Sequence, residues 1–321
     1  MRSSKDRSFE KRSELYGFLS LWIMLFHLNM FFRPLLGSIY LDRIASLGDS
    51  CVDIFLFVSG YCIYHSWKKD PDYWNFFKKR VYRIIPSYLL IAIPFFLWQD
   101  LLSFNFLYDL LGASFLIEGK LEAWFPIAII FFYILSPGII YTMQLKESIW
   151  ILVLGGLLII LLLNTVGYFS KTGIMWSRLP AYTLGIYCAM RKHEDGTDYL
   201  KKIDKNIILF IGCCVLLTVL AFSPILLSLQ SQIGMDSTRV MYLFLIMPII
   251  SVITKIIRTL PRLIQSFLSV CGNVSLELYL IHLFLFYVIS HYGMNVWLYP
   301  AALLVAIPLA YAVRAIGKLL S

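Results

Sequence analysis

The chain is dominated by apolar stretches of about twenty residues, the length that a helix needs to cross a bilayer core of about 30 Å. Such stretches recur along the 321-residue sequence, of which 60% is hydrophobic and whose mean hydropathy is +0.76. A globular domain cannot bury that much apolar surface. We therefore predict an all-α, polytopic transmembrane helical bundle that forms a single integral-membrane domain over residues 1–321. The predicted spans, about ten in all, lie near residues 15–33, 44–66, 82–102, 124–143, 149–168, 175–190, 206–225, 237–256, 274–291 and 296–317.

Residues 103–118 do not fit this pattern, although they are mostly apolar. Asn105, Asp109, Gly112 and Glu118 interrupt the run. Polar and charged groups are costly in lipid, so we predict an interfacial or re-entrant segment here. An eleventh span is the alternative.

Lysine and arginine are unevenly distributed along the chain, which indicates how it is oriented. Cytoplasmic loops of membrane proteins accumulate positive charge. The segments that are cytoplasmic when the N-terminus is inside carry most of the 28 Lys and Arg residues, including the cluster between Lys68 and Arg83. We therefore predict an even number of spans with both termini cytoplasmic. The net charge of +9 is then a topology signal, and nucleic-acid binding is not indicated.

The six cysteines fall within or beside predicted spans and form no C-x-x-C pattern. That distribution favours packing roles over metal ligation or disulfides. We predict no metal site.

Few ionisable residues lie inside the predicted spans, and each marks a place where a partner or a wet cavity is expected. The principal ones are His27, Asp53, Glu277 and His282. On the first helix, His27 lies roughly 20 Å beyond Glu14 along the axis, which puts the imidazole past the membrane midplane. Helical periodicity forms a polar stripe that is predicted to line a cavity open to the cytoplasm. Its members are Arg12, Tyr16, Ser20 and His27.

A second polar stripe lies on the predicted ninth helix. Ser275, Tyr279 and His282 are spaced i, i+4 and i+7 and project together. Glu277 points about 200° away from Ser275, so it does not form a dyad with His282. For His27 and for His282, a hydrogen bond between helices is the structural alternative to a catalytic role.

Five segments occur in order along nearly the whole chain: VDIFLFVSGYCI, FFKKRVYRIIPSYLL, WFPIAIIFFYILSP, SRLPAYTLGIYCA and SLELYLIHLFLF. Together they resemble acyltransferase family 3, the membrane proteins that O-acylate cell-envelope glycans. VDIFLFVSGYCI is similar to the family's G-V-D-hydrophobic-F-x-hydrophobic-S-G-F/Y stretch, and FFKKRVYRIIPSYLL to its F-x-x-R-R-hydrophobic-x-R-I-x-P-x-Y stretch. In the S-G pair, Gly60 is expected to permit close approach of a neighbouring helix.

The chain departs from the family pattern at two places. The family's first helix usually carries an arginine where this chain has Tyr16 and Gly17. Arg12 lies one turn earlier, and its long side chain can reach the same cytosolic vestibule. Glu122, two residues before Trp124, stands where many relatives have histidine.

The resemblance implies transfer of an acyl group, most often acetyl from acetyl-CoA, to a sugar hydroxyl. A neutral histidine can remove the hydroxyl proton near pH 7, so His27 is the predicted general base. His282 is a second catalytic candidate, and Asp53 is the predicted acid that orients His27. No cofactor is expected to be bound permanently, because acyl-CoA is a donor substrate.

Cations near the predicted cytoplasmic surface suit the phosphates of coenzyme A. The candidates for this role are Arg80, Arg83, Arg12 and Lys79. The positive-inside rule would place cations there without any ligand, and that alternative stays open. The candidates for contacts with substrate are Tyr16, Ser59, Glu122, Trp124, Arg178 and Tyr279.

Two other functions remain open on the sequence. A transporter or flippase of a lipid-linked sugar also tolerates histidines inside the membrane, and the change at Tyr16 is compatible with a catalytically silent relative. The expected partners of the enzyme are acyl-CoA, a glycan or lipid-linked sugar acceptor, and the lipid bilayer. The predicted outer loops are too short to bind a long glycan alone, which favours a lipid-linked or small acceptor.

Overall fold

The computed structural model describes residues 11–31, 38–100, 104–146, 149–205, 212, 236, 239–240, 242–295 and 297–320. Helices make up 89% of the structure, and the described residues form no strand. The predicted all-α class is therefore confirmed. The α-helices are α1 (Arg12–Phe31), α2 (Ile39–Ser46), α3 (Cys51–Lys69), α4 (Tyr73–Asp100), α5 (Phe104–Leu110), α6 (Ala113–Glu118), α7 (Trp124–Lys146), α8 (Ile149–Thr165), α9 (Gly167–Lys171), α10 (Gly173–Trp176), α11 (Leu179–Asp195), α12 (Tyr199–Lys205), α13 (Ile246–Thr259), α14 (Arg262–Asn273), α15 (Ser275–His291) and α16 (Leu298–Leu319). Short 3₁₀ helices cover Leu47–Ser50 and Tyr242–Leu245.

Within the described part of the chain, five helices are long and apolar enough to cross a membrane. They cover Arg12–Phe31, Tyr40–Lys69, Tyr73–Gln99, Trp124–Leu145 and Leu298–Leu319. A sixth crossing results if α14 and α15, which are bent by 78° relative to each other, form one broken span. These helices agree in position with six of the predicted spans.

The remaining predicted spans are not established as crossings. Residues 149–168 fall mostly on α8 and residues 175–190 mostly on α11, and each of these helices has 17 residues. Residues 206–225 lie outside the described residues except for position 212, and residues 237–256 are described only in part. The total of about ten spans and the cytoplasmic position of both termini stay predictions.

The surface of α8 is apolar in the way that lipid contact requires. Leu154, Leu157, Leu158 and Leu161 are all more than half exposed. A helix in water would carry polar residues on such a face. The exposed leucines therefore support a membrane environment.

The segment predicted to be interfacial or re-entrant forms two short helices, α5 and α6, of 7 and 6 residues. Gly112 precedes α6 with φ +72° and Gly119 follows it with φ +83°, a left-handed conformation that glycine adopts without strain. Neither helix approaches the length of a membrane crossing. This favours the interfacial or re-entrant interpretation over an eleventh span.

Two helix pairs pack with their backbones in contact because glycine provides the space. In the first pair, α1 and α14, a Cβ atom on Gly17 would lie 1.8 Å from the Leu268 carbonyl oxygen. A Cβ atom on Gly272 would lie 1.8 Å from the Ser13 carbonyl oxygen. Small residues permit this close packing between membrane helices.

The second pair is α3 and α11. A Cβ atom on Gly60 would lie 2.1 Å from the Tyr182 carbonyl oxygen, and one on Gly185 would lie 2.0 Å from that of Phe57. The predicted packing role of Gly60 is confirmed. Together the two glycine-packed pairs position the polar faces of α1 and α3.

Candidate active site

Polar side chains from five helices converge on a partly open cavity, the first cavity, whose empty space including the solvent at its mouth is about 1020 Å³. Both predicted stripes contribute to its wall, α1 through Arg12, Tyr16 and Ser20 and α15 through Ser275, Tyr279 and His282. The other polar residues in the wall are Ser59 and Cys62 of α3, Arg80 and Arg83 of α4, and Tyr133 of α7.

The first cavity follows α1 into the molecule. On that helix its lining runs from Arg12 to Ile23, a distance of roughly 16 Å along the axis. His27 lies one turn beyond Ile23, behind His282. The arginines therefore lie towards one end of the cavity and the histidines towards the other.

His27 and His282 form a hydrogen-bonded pair although 255 residues separate them. His27 Nδ1 lies 3.0 Å from His282 Nε2. His282 is fully buried, with 0% exposure, whereas His27 is partly exposed. The pair joins the two predicted stripes, and it brings together the two histidines that the sequence singled out.

The hydrogen bonds of the pair fix which ring nitrogens carry protons when both rings are neutral. His282 Nδ1 lies 2.7 Å from the Leu278 carbonyl oxygen, which can only accept, so Nδ1 carries the proton. His282 Nε2 is then the acceptor, and His27 Nδ1–H donates to it. His27 Nε2 consequently holds the ring's basic lone pair. In this arrangement His282 maintains the tautomer in which His27 can act as a base.

Asp53 has a different partner from the one predicted. Its carboxylate lies 3.6 Å from Arg178 Nε, whereas His27 is paired with His282. The reason is the tight packing of α3 on α11, which turns the first turn of α3 towards Arg178. The predicted pairing of Asp53 with His27 is thus replaced by an ion pair with Arg178.

This ion pair belongs to a larger buried ion cluster, formed by Asp49, Asp53, Arg178 and Arg239. Arg178 Nη2 lies 2.8 Å from Asp49 Oδ1, and Arg239 Nη2 lies 2.6 Å from Asp49 Oδ2. Arg239 also pairs with Asp236. Charge buried at this depth is stable only when it is paired. The ion pairs of the cluster therefore link the start of α3 to α11 and to residue 239.

Two predicted substrate contacts lie at this cluster. Arg178 is fully buried, donates through Nη1 to the Ile174 carbonyl oxygen at 2.9 Å, and places its guanidinium 4.9 Å from the centre of the Trp124 ring. Trp124 is 6% exposed, and Glu122 lies partly buried just before it. Their roles in substrate binding stay predictions, and the contacts seen for Arg178 are ion pairs, a backbone hydrogen bond and its position over the Trp124 ring.

The predicted donor-binding cations differ in their surroundings. Arg12 Nη1 lies 3.3 Å from Cys62 Sγ, and the Arg80 guanidinium lies 5.6 Å from the centre of the Phe76 ring. Arg80 Nε has no hydrogen-bond partner among the described residues. Lys79 is exposed and binds the Asp70 carboxylate at 2.8 Å, a hydrogen bond that lowers the pKa of Asp70.

The remaining polar residues of the first cavity are available to a ligand to different degrees. Tyr16 stacks on Phe55 with ring centres 4.8 Å apart, and Ser59 Oγ lies 3.4 Å from the Tyr133 hydroxyl. Ser20 is 4% exposed, and its hydroxyl has no partner among the described residues. A hydroxyl buried in this way at a cavity wall suits a hydrogen bond to a bound molecule.

Sequence reasoning assigned no role in the site to Tyr133, Asp49 or Arg239. Tyr133 is the tyrosine of the WFPIAIIFFYILSP segment, so the signal was present there. Asp49 lies near the start of the predicted span at residues 44–66, and its two arginine partners are distant in sequence. No periodicity could have connected them.

The site is thus a hydrogen-bonded histidine pair at one end of a largely apolar cavity that carries a few arginine, serine and tyrosine side chains, in an all-helical membrane protein. A family model described as an acyltransferase domain matches residues 17–315, nearly the whole chain. The chain therefore belongs to acyltransferase family 3, as the sequence motifs indicated, and this family implies acyltransferase activity in a membrane protein. No match to a curated protein or to a solved structure was found.

Proposed function

We propose that the protein is a membrane O-acetyltransferase of the cell envelope, in a bacterial-type inner or plasma membrane. It transfers an acetyl or other acyl group from acyl-CoA to a hydroxyl of a cell-surface polysaccharide or of its lipid-linked precursor. The hydrogen bond between His27 and His282 would also fit the structural alternative, so the observation that carries the proposal is the position of this pair at the end of a cavity that Arg12, Arg80 and Arg83 line.

In the proposed reaction, His27 Nε2 accepts the proton of the acceptor hydroxyl as its oxygen attacks the thioester carbonyl carbon. The tetrahedral intermediate collapses with cleavage of the carbon–sulfur bond, and the coenzyme A thiolate takes up the proton held by His27. The products are the ester and free coenzyme A. His282 Nε2 accepts the bond from His27 Nδ1–H and so stabilises the imidazolium that forms.

The two substrates approach the histidine pair from different sides in this proposal. The acyl-CoA thioester enters the first cavity, where His282 is part of the wall. His27 lies behind His282 and is partly exposed, so the acceptor enters from outside that cavity, and its hydroxyl oxygen must come to lie between His27 Nε2 and the thioester carbon at the end of the cavity that His282 lines. Arg12 lines the cavity one turn from Tyr16, which supports its taking the place of the arginine usual in relatives.

Transfer of label from acetyl-CoA to extracted envelope glycans, in membranes that contain the protein, tests this function. We expect His27→Ala to lower the rate about 10²- to 10⁴-fold, the usual contribution of a general base. His282→Phe should lower it about 10- to 100-fold, as loss of a group that orients another does. His291→Ala, on the exposed end of α15, is the matched control and should leave the rate unchanged.

Label transfer that survives His27→Ala would refute the assignment of the base. If wild-type membranes transfer no label, flux of a lipid-linked sugar without acyl-CoA would identify a transporter. Absence of both activities would identify a catalytically silent relative.

A further inference from the structure

A second cavity, also of about 1020 Å³, lies between α4, the start of α15 and the end of α16. Basic side chains from two helices line it, namely Lys79 and Arg83 of α4 and Arg314 and Lys318 of α16. Its neighbour α16 approaches α4 closely, since a Cβ atom on Gly317 would lie 3.3 Å from Ser87 Oγ. The sequence motifs assigned nothing to the two cations on α16.

The second cavity also contains a buried carboxylate. Glu277 is 5% exposed and accepts a hydrogen bond from Ser87 Oγ at 2.7 Å. Four cations thus line a cavity that also holds one buried carboxylate, and Lys79 pairs in addition with Asp70. The positive-inside rule accounts for cations near a membrane surface, but it does not account for their convergence around a buried acid.

The two cavities share a wall. Arg83, Ser275 and Leu276 line both of them. A single ligand can therefore occupy both if it has a narrow arm and a bulky, highly charged end. The arm would lie along α1 towards His282, and the charged end would lie among the cations of α4 and α16.

Acyl-CoA has this construction, because a narrow acyl-pantetheine arm joins a nucleotide that carries a diphosphate and a 3′-phosphate. Arginine and lysine side chains are the usual partners of such phosphates. The buried carboxylate can in addition accept a hydrogen bond from an amino group of the nucleotide base. Inorganic phosphate has no such amino group. Resting on the proposed function, we propose that the second cavity binds the phosphorylated nucleotide end of acyl-CoA, with Arg314 and Lys318 as its phosphate ligands.

Binding of adenosine 3′,5′-bisphosphate to the full-length protein in phosphatidylcholine nanodiscs tests the proposal without requiring acyl transfer. We expect the double variant Arg314→Gln/Lys318→Gln to raise the Kd for this nucleotide and for acetyl-CoA about tenfold or more. The Kd for acetyl-pantetheine, which lacks the nucleotide, should not change. Arg258→Gln, an exposed arginine outside both cavities, is the control and should bind the nucleotide like wild type.

The charge-conserving variant Arg314→Lys/Lys318→Arg should retain most of the nucleotide binding, which excludes a folding defect as the cause of the loss. Equal weakening by Arg258→Gln, or no effect of the double variant, would overturn the proposal. So would a result in which phosphatidylglycerol nanodiscs block nucleotide binding to wild type but not to the double variant, because the cations would then bind an anionic lipid headgroup.

The two proposals fail in distinguishable ways. Nucleotide binding that depends on Arg314 and Lys318 in a protein without acyl transfer would leave this inference standing and refute the proposed function. If acyl transfer occurs and its KM for acetyl-CoA is the same in wild type and in the double variant, the proposed function stands and this inference is refuted.

Discussion

The buried ion cluster and the first cavity both place arginines inside the helical bundle, but the arginines have different partners. In the cluster, Arg178 and Arg239 are buried and bound to Asp49. In the cavity, Arg12 contacts a thiol and Arg80 lies over an aromatic ring. An arginine whose charge a carboxylate already neutralises holds helices together, whereas one without that neutralisation retains attraction for an anionic ligand.

The largest expected effect follows from removing the acid that both buried arginines share. Asp49→Ala leaves Arg178 and Arg239 without their main counter-charge, and we expect the free energy of unfolding to fall by about 3–5 kcal/mol. Denaturant titration of the protein in detergent measures this loss. The double variant Asp49→Ala/Arg239→Ala should lose less than the sum of the two single variants, since the residues are directly coupled. Unchanged stability of Asp49→Ala would contradict a structural role for the cluster.

A smaller effect, on binding rather than on stability, is expected in the first cavity. Arg80→Gln/Arg83→Gln should raise the KM for acetyl-CoA about tenfold while the free energy of unfolding stays near that of wild type. Steady-state label transfer and thermal unfolding together test this. The exposed Arg262→Gln is a suitable control for loss of surface charge. If the double variant unfolds as readily as Asp49→Ala, the distinction between the two regions is wrong.

The smallest effect is expected at the exposed pair of Lys79 and Asp70. Because this pair is charged but not buried, it shows the effect of charge pairing without burial. Lys79 lowers the pKa of Asp70, so the pair stabilises the fold above the unfolded pKa of the acid and this contribution is lost as the pH falls through the lowered pKa. Lys79→Gln should therefore lower the melting temperature slightly at pH 7 and leave it unchanged at strongly acid pH. A difference in melting temperature between the variant and wild type that grows as the pH falls would contradict this prediction.

The sequence predicted those features of the site that depend on a single helix. The stripes on α1 and α15 follow from helical periodicity, and the structure places Arg12, Tyr16, Ser20, Tyr279 and His282 in one cavity wall. The meeting of His27 with His282 depends on packing between helices at opposite ends of the chain. Each histidine could be singled out, but their hydrogen bond could not be deduced.

The prediction that Asp53 pairs with His27 was wrong for the same reason. Closeness in sequence to α1 does not indicate which face of α3 packs against α11. The number of crossings was harder still. A bend of 78° between α14 and α15 and the modest length of α8 are properties of the folded chain, and apolar composition alone does not reveal them.

Gly17 shows how the structure constrains a departure from the family pattern. An arginine at this position would meet the backbone of α14, whereas position 16 faces the first cavity. Only Tyr16 is therefore a place where the family's arginine could be restored without disrupting the helix pair.

The glycine contacts also limit how the bundle can open. Gly17 with Gly272, and Gly60 with Gly185, interlock two helix pairs so closely that neither helix of a pair can rotate without striking its partner's backbone. Under the proposed function, a bulky acceptor would therefore enter between the two interlocked pairs, or beside α4 and α16. The glycines at these four positions, which have no side chain, thus determine which interfaces between helices can open.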